Sequence, residues 1–212
     1  MGTAFEGIEK THKGIPSPNL RNQVIESKQV DTSNGLKYDL ESMYNQRLFC
    51  DVKLRTKSEF FEAHRSILSA RSPVFRAMFT TTKTKEKSKE LVVLTDLDAD
   101  IMHRMLLYLY TDTLEDLKWE TAFKLYAAAT KYQILPLKDC CSAFLMSNLT
   151  VNNVCEVLIL AYTIQDIDLK KIVQDYILKH EKAIFHSKEW RLLLDTHTKL
   201  VAETMHLKYT SE

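Results

Sequence analysis

Glycine is nearly missing from this chain. Four occur in 212 residues, at Gly2, Gly7, Gly14 and Gly35, so none follows position 35. Loops that cradle phosphates need glycines where backbone amides must approach the ligand closely. The dinucleotide fingerprint, the P-loop and the glycine-flanked nucleophile elbow are therefore absent from the patterned part of the chain. Cysteine is sparse too. Cys50, Cys140, Cys141 and Cys155 include no C-x-x-C spacing and do not make a disulfide framework, which points to a reducing compartment. Charge of one sign is lacking: 29 Lys and Arg stand against 28 Asp and Glu, a formal +1, so no global field draws the chain to nucleic acid or an anionic membrane. Long apolar runs are missing as well. Met105–Tyr110 and Val157–Ala161 fall far short of the ~20 residues that span a bilayer, and the first residues carry no apolar secretory core. The expectation is an intracellular protein without a membrane or nucleic-acid partner.

What is present is globular composition, 45% hydrophobic and 27% charged. Residues 1–35 hold every glycine together with Pro16 and Pro18, and read as a flexible tail. Regular patterning starts at Leu36. Leu36, Leu40 and Met43 recur at i, i+4 and i+7, one stripe of a helix. Val52 and Leu54 alternate with charged residues as in a half-buried strand, and Phe60-Phe61-Glu62-Ala63 reads as its hairpin return. Helical stripes follow to Phe79, with Pro73 able to open a second short helix, and Leu91–Leu94 is a third strand.

Beyond it everything reads helical. Asp98 is the expected cap of a helix through Leu109, Ala122–Ile134 and Leu137–Leu149 form a pair joined at Leu135-Pro136, Thr150 caps Val151–Tyr162, and Asp166 or Asp168 caps the run to His180. One or two more helices close the chain around Trp190 and Leu200. The class is α+β, a small sheet followed by helices alone.

No reaction centre is organised by these residues. The seven histidines lack the i, i+4 spacing of a zinc-binding helix; His180 and His186 are six apart. Cys140 and Cys141 lie in an amphipathic helix with Phe144 and Leu145, where a small apolar thiol packs in a core. Lys83, Lys85, Lys87 and Lys89 alternate through a Thr- and Ser-rich stretch with no aromatic or Arg residue between them, which reads as a solvated loop. We expect no enzyme, no cofactor and no metal. The Leu36–Leu40–Met43 stripe has two readings from patterning alone: packing on its own domain, or exchange with a twin chain.

The order of motifs resembles a known family. Phe49-Cys50-Asp51-Val52 opens a string that continues Phe60-Phe61-Glu62-Ala63-His64-Arg65-Ser66-Ile67-Leu68-Ser69-Ala70-Arg71-Ser72-Pro73-Val74-Phe75-Arg76-Ala77-Met78-Phe79. Leu107–Thr111 and Leu125–Tyr132 follow in order. The string resembles the BTB/POZ domain. Ser147–Asn153, Trp190 and Leu200–Glu203 resemble the short BACK-type (3-box) extension of speckle-type POZ proteins. The resemblance covers about 36–207 and divides the chain into a tail (1–35), a BTB/POZ domain (36–149), a BACK-like helical extension (150–207) and a short end (208–212).

The resemblance implies a dimeric adaptor of a cullin-3 RING ubiquitin ligase, acting in the nucleus, the cytoplasm or both. Leu36, Leu40, Met43 and Ile67 match the homodimer contacts, and Asp51 and Arg65 match a buried charged pair near the dimer floor. Met78, Phe79, Thr84, Glu86, Tyr132 and Leu135 match the surface facing the cullin-3 N-terminal domain. Two departures stand out. Family adaptors carry an apolar-x-Glu motif after the Met-Phe helix end, whereas Thr84-Lys85-Glu86 puts Thr at the apolar position. The MATH domain that precedes the BTB in speckle-type proteins is longer than residues 1–35. Both departures suit an alternative, a dimerisation module that pairs with full-length speckle-type proteins without recruiting cullin.

Overall fold

The computed structural model describes residues 33–81 and 90–210. Helix α1 (Ser33–Asn45) begins three residues before Leu36, where regular patterning is expected to start. Ser and Asn are residue types that favour helix starts, which accounts for the earlier boundary. The turn that follows carries two left-handed residues, Arg47 (φ 53°) and Phe49 (φ 58°). It delivers the chain to β1 (Val52–Arg55), which pairs antiparallel with β2 (Phe60–Ala63), Val52 opposite Ala63 and Leu54 opposite Phe61. Thr56 closes this hairpin: its main-chain N–H donates to the Glu59 carbonyl at 2.9 Å, and its hydroxyl accepts from the Glu59 N–H at 3.0 Å.

A third strand, β3 (Glu90–Val93), lies parallel to β1 on its other side, giving the order β2-β1-β3. Parallel neighbours need a long crossover, and α2 (Arg65–Arg71) and α3 (Pro73–Thr81) supply it. Ser72 separates the two helices. Its hydroxyl accepts from the Phe75 N–H at 3.2 Å and donates to the Tyr132 carbonyl at 2.5 Å, while Pro73 takes the first helical position, where no N–H is missed.

Asp98 takes the N-cap position of helix α4 (Ala99–Thr111) as expected, but its side chain accepts no capping hydrogen bond. Its carboxylate instead meets Lys124 at 2.7 Å, and that contact lowers its pKa. The helical pair is α5 (Trp119–Lys131) and α6 (Leu135–Ser147). Leu135-Pro136 is not the joint: Pro136 sits in the first turn of α6, where its missing N–H goes unneeded, and Gln133 (φ 53°) makes the corner. Asn153, not Thr150, takes the N-cap position of α7 (Val154–Thr163); the Asn153 amide oxygen accepts the Thr150 N–H at 2.7 Å.

Asp166 caps α8 (Ile167–Lys179) as expected, accepting from the Leu169 N–H at 3.0 Å. A short α9 (Glu181–Ile184), α10 (Lys188–Thr196) and α11 (Thr198–Thr210) complete the chain. One apolar cluster runs from Val52, Leu54, Leu68 and Phe75 through Met102, Met105 and Leu106 to Val157, Leu158, Val173, Trp190 and Val201, so the sheet, the first helices and the later helices share a core.

Candidate functional site: an apolar groove and an aromatic row

Helix α1 lies on α4 and divides its side chains between them and solvent. Tyr44 is buried, its ring 4.9 Å from that of Tyr110, and burial pushes its phenol up to about 12. On the other side Leu36 is 64% exposed. Leu36, Leu40 and Ile67 line one open groove of about 370 Å³ with Leu109 and Tyr110. Met43, expected with them, is half-buried against the core and does not line that groove. Arg71 and Asp112, an ion pair, stand at its rim.

Asp51 and Arg65 meet differently from the expectation. Within one chain Asp51 is exposed and Arg65 half-buried, so the pair is not a buried one here. The Asp51 carboxylate accepts the main-chain N–H of Arg65 at 2.8 Å, tying the start of β1 to the start of α2. The Arg65 guanidinium lies over the Phe79 ring, 5.1 Å from its centroid, a cation–π geometry.

The six residues matched to a cullin surface fall into two places and one gap. Met78 and Phe79 are half-exposed at the end of α3. Leu135, 63% exposed, opens α6. Tyr132, expected as a contact residue, is fully buried within the single chain. What it does is join the two places, because Phe79 stacks on Phe75 (6.1 Å) and Phe75 on Tyr132 (4.9 Å). Burial, with the Asp96 carboxylate nearby, pushes the Tyr132 phenol upward, and its hydroxyl makes no hydrogen bond of normal geometry among the described residues. Thr84 and Glu86 lie outside the described residues.

Two groups escaped the sequence reading. His64 is buried between α1's turn and α4: its Nε2 is 2.6 Å from the Leu48 carbonyl, its Nδ1 2.7 Å from the Tyr110 hydroxyl, and its main-chain N–H donates to that hydroxyl at 2.9 Å. A carbonyl can only accept, so in the neutral ring Nε2 carries the hydrogen and Nδ1 receives the phenol's. The second group is Asp166 with Tyr126 and Lys138. Neither shows a sequence signal beyond residue type, since the partners on other elements stand 16 to 46 positions apart.

Burial pushes the Cys141 thiol up to about 12 and the Cys155 thiol up to about 11, the opposite of what activates a nucleophile. Among the described residues no group of three His, Cys, Asp or Glu side chains could hold a metal ion. No helix among them is long and apolar enough to cross a membrane.

Residues 40–149 match the BTB/POZ domain, and this span is half of the chain. The chain belongs to the BTB/POZ family. Its relatives include protein maternal effect lethal 26 of Caenorhabditis elegans, 29% identical over 86% of this chain and 46% of the relative. Two mouse proteins, TD and POZ domain-containing proteins 3 and 1, are 36% and 34% identical over 83% and 87% of this chain, covering 48% and 51% of their own lengths. The chain thus spans about half the length of the curated relatives it matches. Among solved structures it is similar to the BTB domain of zebrafish PATZ1 (TM-score 0.49, 23% identity, 57% of this chain and 97% of that one). A BTB/POZ domain is a protein-interaction module.

Proposed function

We propose that this BTB/POZ protein works as a homodimeric adaptor of the speckle-type kind, bridging the cullin-3 N-terminal domain to a substrate of a RING ubiquitin ligase. The observation that carries the reading is the groove in which exposed Leu36 meets Leu40 and Ile67, because an apolar strip left open on a packed helix is what a second copy of the same helix can cover. The aromatic row supports the cullin half. It links the end of α3 to the start of α6, so Met78, Phe79 and Leu135 are held on one connected frame. Two such chains carry two substrate positions, and avidity follows without any new contact. The protein itself performs no bond chemistry in this reading; it raises the local concentration of one partner near another.

A titration against the cullin-3 N-terminal domain tests it. Binding at micromolar concentration, tightened by Thr84→Met, supports the reading, and no binding at that concentration by either form ends it. The Thr at position 84 favours the second reading, a dimerisation module that pairs with full-length speckle-type proteins. Native mass spectrometry of mixtures separates the two: mixed dimers together with no cullin complex select the second.

A further inference from the structure

Asp166 holds the one buried carboxylate among the described residues, its side chain 5% exposed. It lies outside the stretch that matches the family, yet two of its three donors lie inside. Oδ1 accepts the Leu169 N–H at 3.0 Å, which is the ordinary cap of α8. Oδ2 accepts from the Tyr126 hydroxyl on α5 and from Lys138 Nζ on α6, each at 2.6 Å. The carboxylate is delivered by the α7–α8 corner, where Gln165 is left-handed (φ 58°) and the Asp166 N–H closes back on the Ala161 carbonyl at 2.8 Å.

Capping alone does not explain this arrangement. Ser187 caps α10 with a single hydroxyl, accepting the Trp190 N–H at 3.1 Å and reaching no second element. Burying a carboxylate is expensive unless donors surround it, so a cap would ordinarily stay wet. The other hydrogen bonds from α7 and α8 back to earlier residues are longer, Trp119 to Glu156 at 3.4 Å and Tyr176 to the Leu149 carbonyl at 3.3 Å. The shared apolar core resists separation, but apolar contact has no direction and tolerates sliding. A charge met by two fixed donors sets the register.

We infer that Asp166, Tyr126 and Lys138 form a latch that fixes the helical extension on the BTB/POZ domain, so that α7 and α8 keep one orientation relative to α5 and α6. Asp166 is a positioning residue here. The inference stands apart from the cullin reading and holds whether or not the chain binds a ligase scaffold.

Hydrogen exchange on the full chain tests it with two variants. Tyr126→Phe combined with Lys138→Met leaves the α8 cap intact and removes only the cross-element donors. Amides of α7 and α8 are then expected to exchange about tenfold faster, while those of β1 and α4 keep their rates. Asp166→Asn, which keeps the size and loses the charge, gives the same pattern. Unchanged rates in α7 and α8, or equal acceleration in both parts, overturn the latch, since a merely stabilising contact moves the whole molecule together. If Asp166→Asn yields no folded protein, the double variant decides; if neither folds, Tyr126→Phe alone does, because it keeps both the ion pair and the cap.

Discussion

The rings of Phe75 and Tyr132 lie 4.9 Å apart and within 20° of parallel, so the first turn of α3 rests on the corner between α5 and α6. Ser72 fastens the same corner from below through the Tyr132 carbonyl. Stacked aromatic area adds to that hydrogen bond, and the Tyr132 hydroxyl has no hydrogen-bond partner of normal geometry among the described residues. Tyr132→Phe is therefore expected to leave the fold unchanged or to stabilise it by up to about 1 kcal/mol, and Tyr132→Ala to cost about 3–5 kcal/mol. Urea unfolding of the three forms checks both signs.

Leu36 is the most exposed member of the α1 stripe, so charging it disturbs little within one chain. Leu36→Asp is expected to leave the thermal midpoint of the single chain within a few degrees while driving a dimer toward monomer, a change read by sedimentation velocity. A variant that sediments as the native protein does would remove α1 from the interface.

Much of this was legible from patterning, and the failures have physical causes. The period-two run at Val52 and Leu54 and the hairpin return at Phe60 became β1 and β2 because one face had to be dry and the other wet. Cap assignments fared unevenly. Asp166 caps its helix, whereas the Asp98 carboxylate turns to Lys124, 26 residues away, a competitor that no local window contains. Surface and burial were harder to read: Tyr132 carries a polar atom and sits beside an exposed Lys131, yet tertiary stacking buries it completely. Leu36 and Leu40 of the groove were legible as a stripe, whereas Ile67, grouped with them only by the family resemblance, comes to the groove from another helix and Met43 of the stripe does not line it.

Acid is expected to loosen the molecule through Asp166. Burial alone would raise its pKa, but the Leu169 N–H, Lys138 and Tyr126 outweigh it and hold the carboxyl at about 2, below the ordinary 3.8. The folded state thus prefers the ionised form. Its contribution, about 2 kcal/mol, is complete above pH ~4 and declines as pH falls through the window from ~4 to ~2. Asp166→Asn lacks this part of the titration, so the stability gap between variant and native protein should narrow between pH 6 and pH 3 in urea unfolding. Parallel pH profiles would contradict the assignment.

His64 holds the α1–β1 turn by its ring and α4 by the Tyr110 hydroxyl. Replacing it by Ala strands the Leu48 carbonyl and opens a void beside Tyr110, at a cost of about 2–4 kcal/mol. The expected signature is local as well as global: amides 46–50 should lose protection first, as exchange at low denaturant would show. His64→Gln, which can still reach one partner, should recover part of the loss.

The burial pattern of the thiols leaves one practical handle on the molecule. Cys50, Cys141 and Cys155 are inside, and Cys140 faces out from α6. A maleimide dye added to the native protein should therefore attach at a single position without mutagenesis. That position is five residues along from Leu135, close enough for the fluorophore to report when something large settles over that end of the helix.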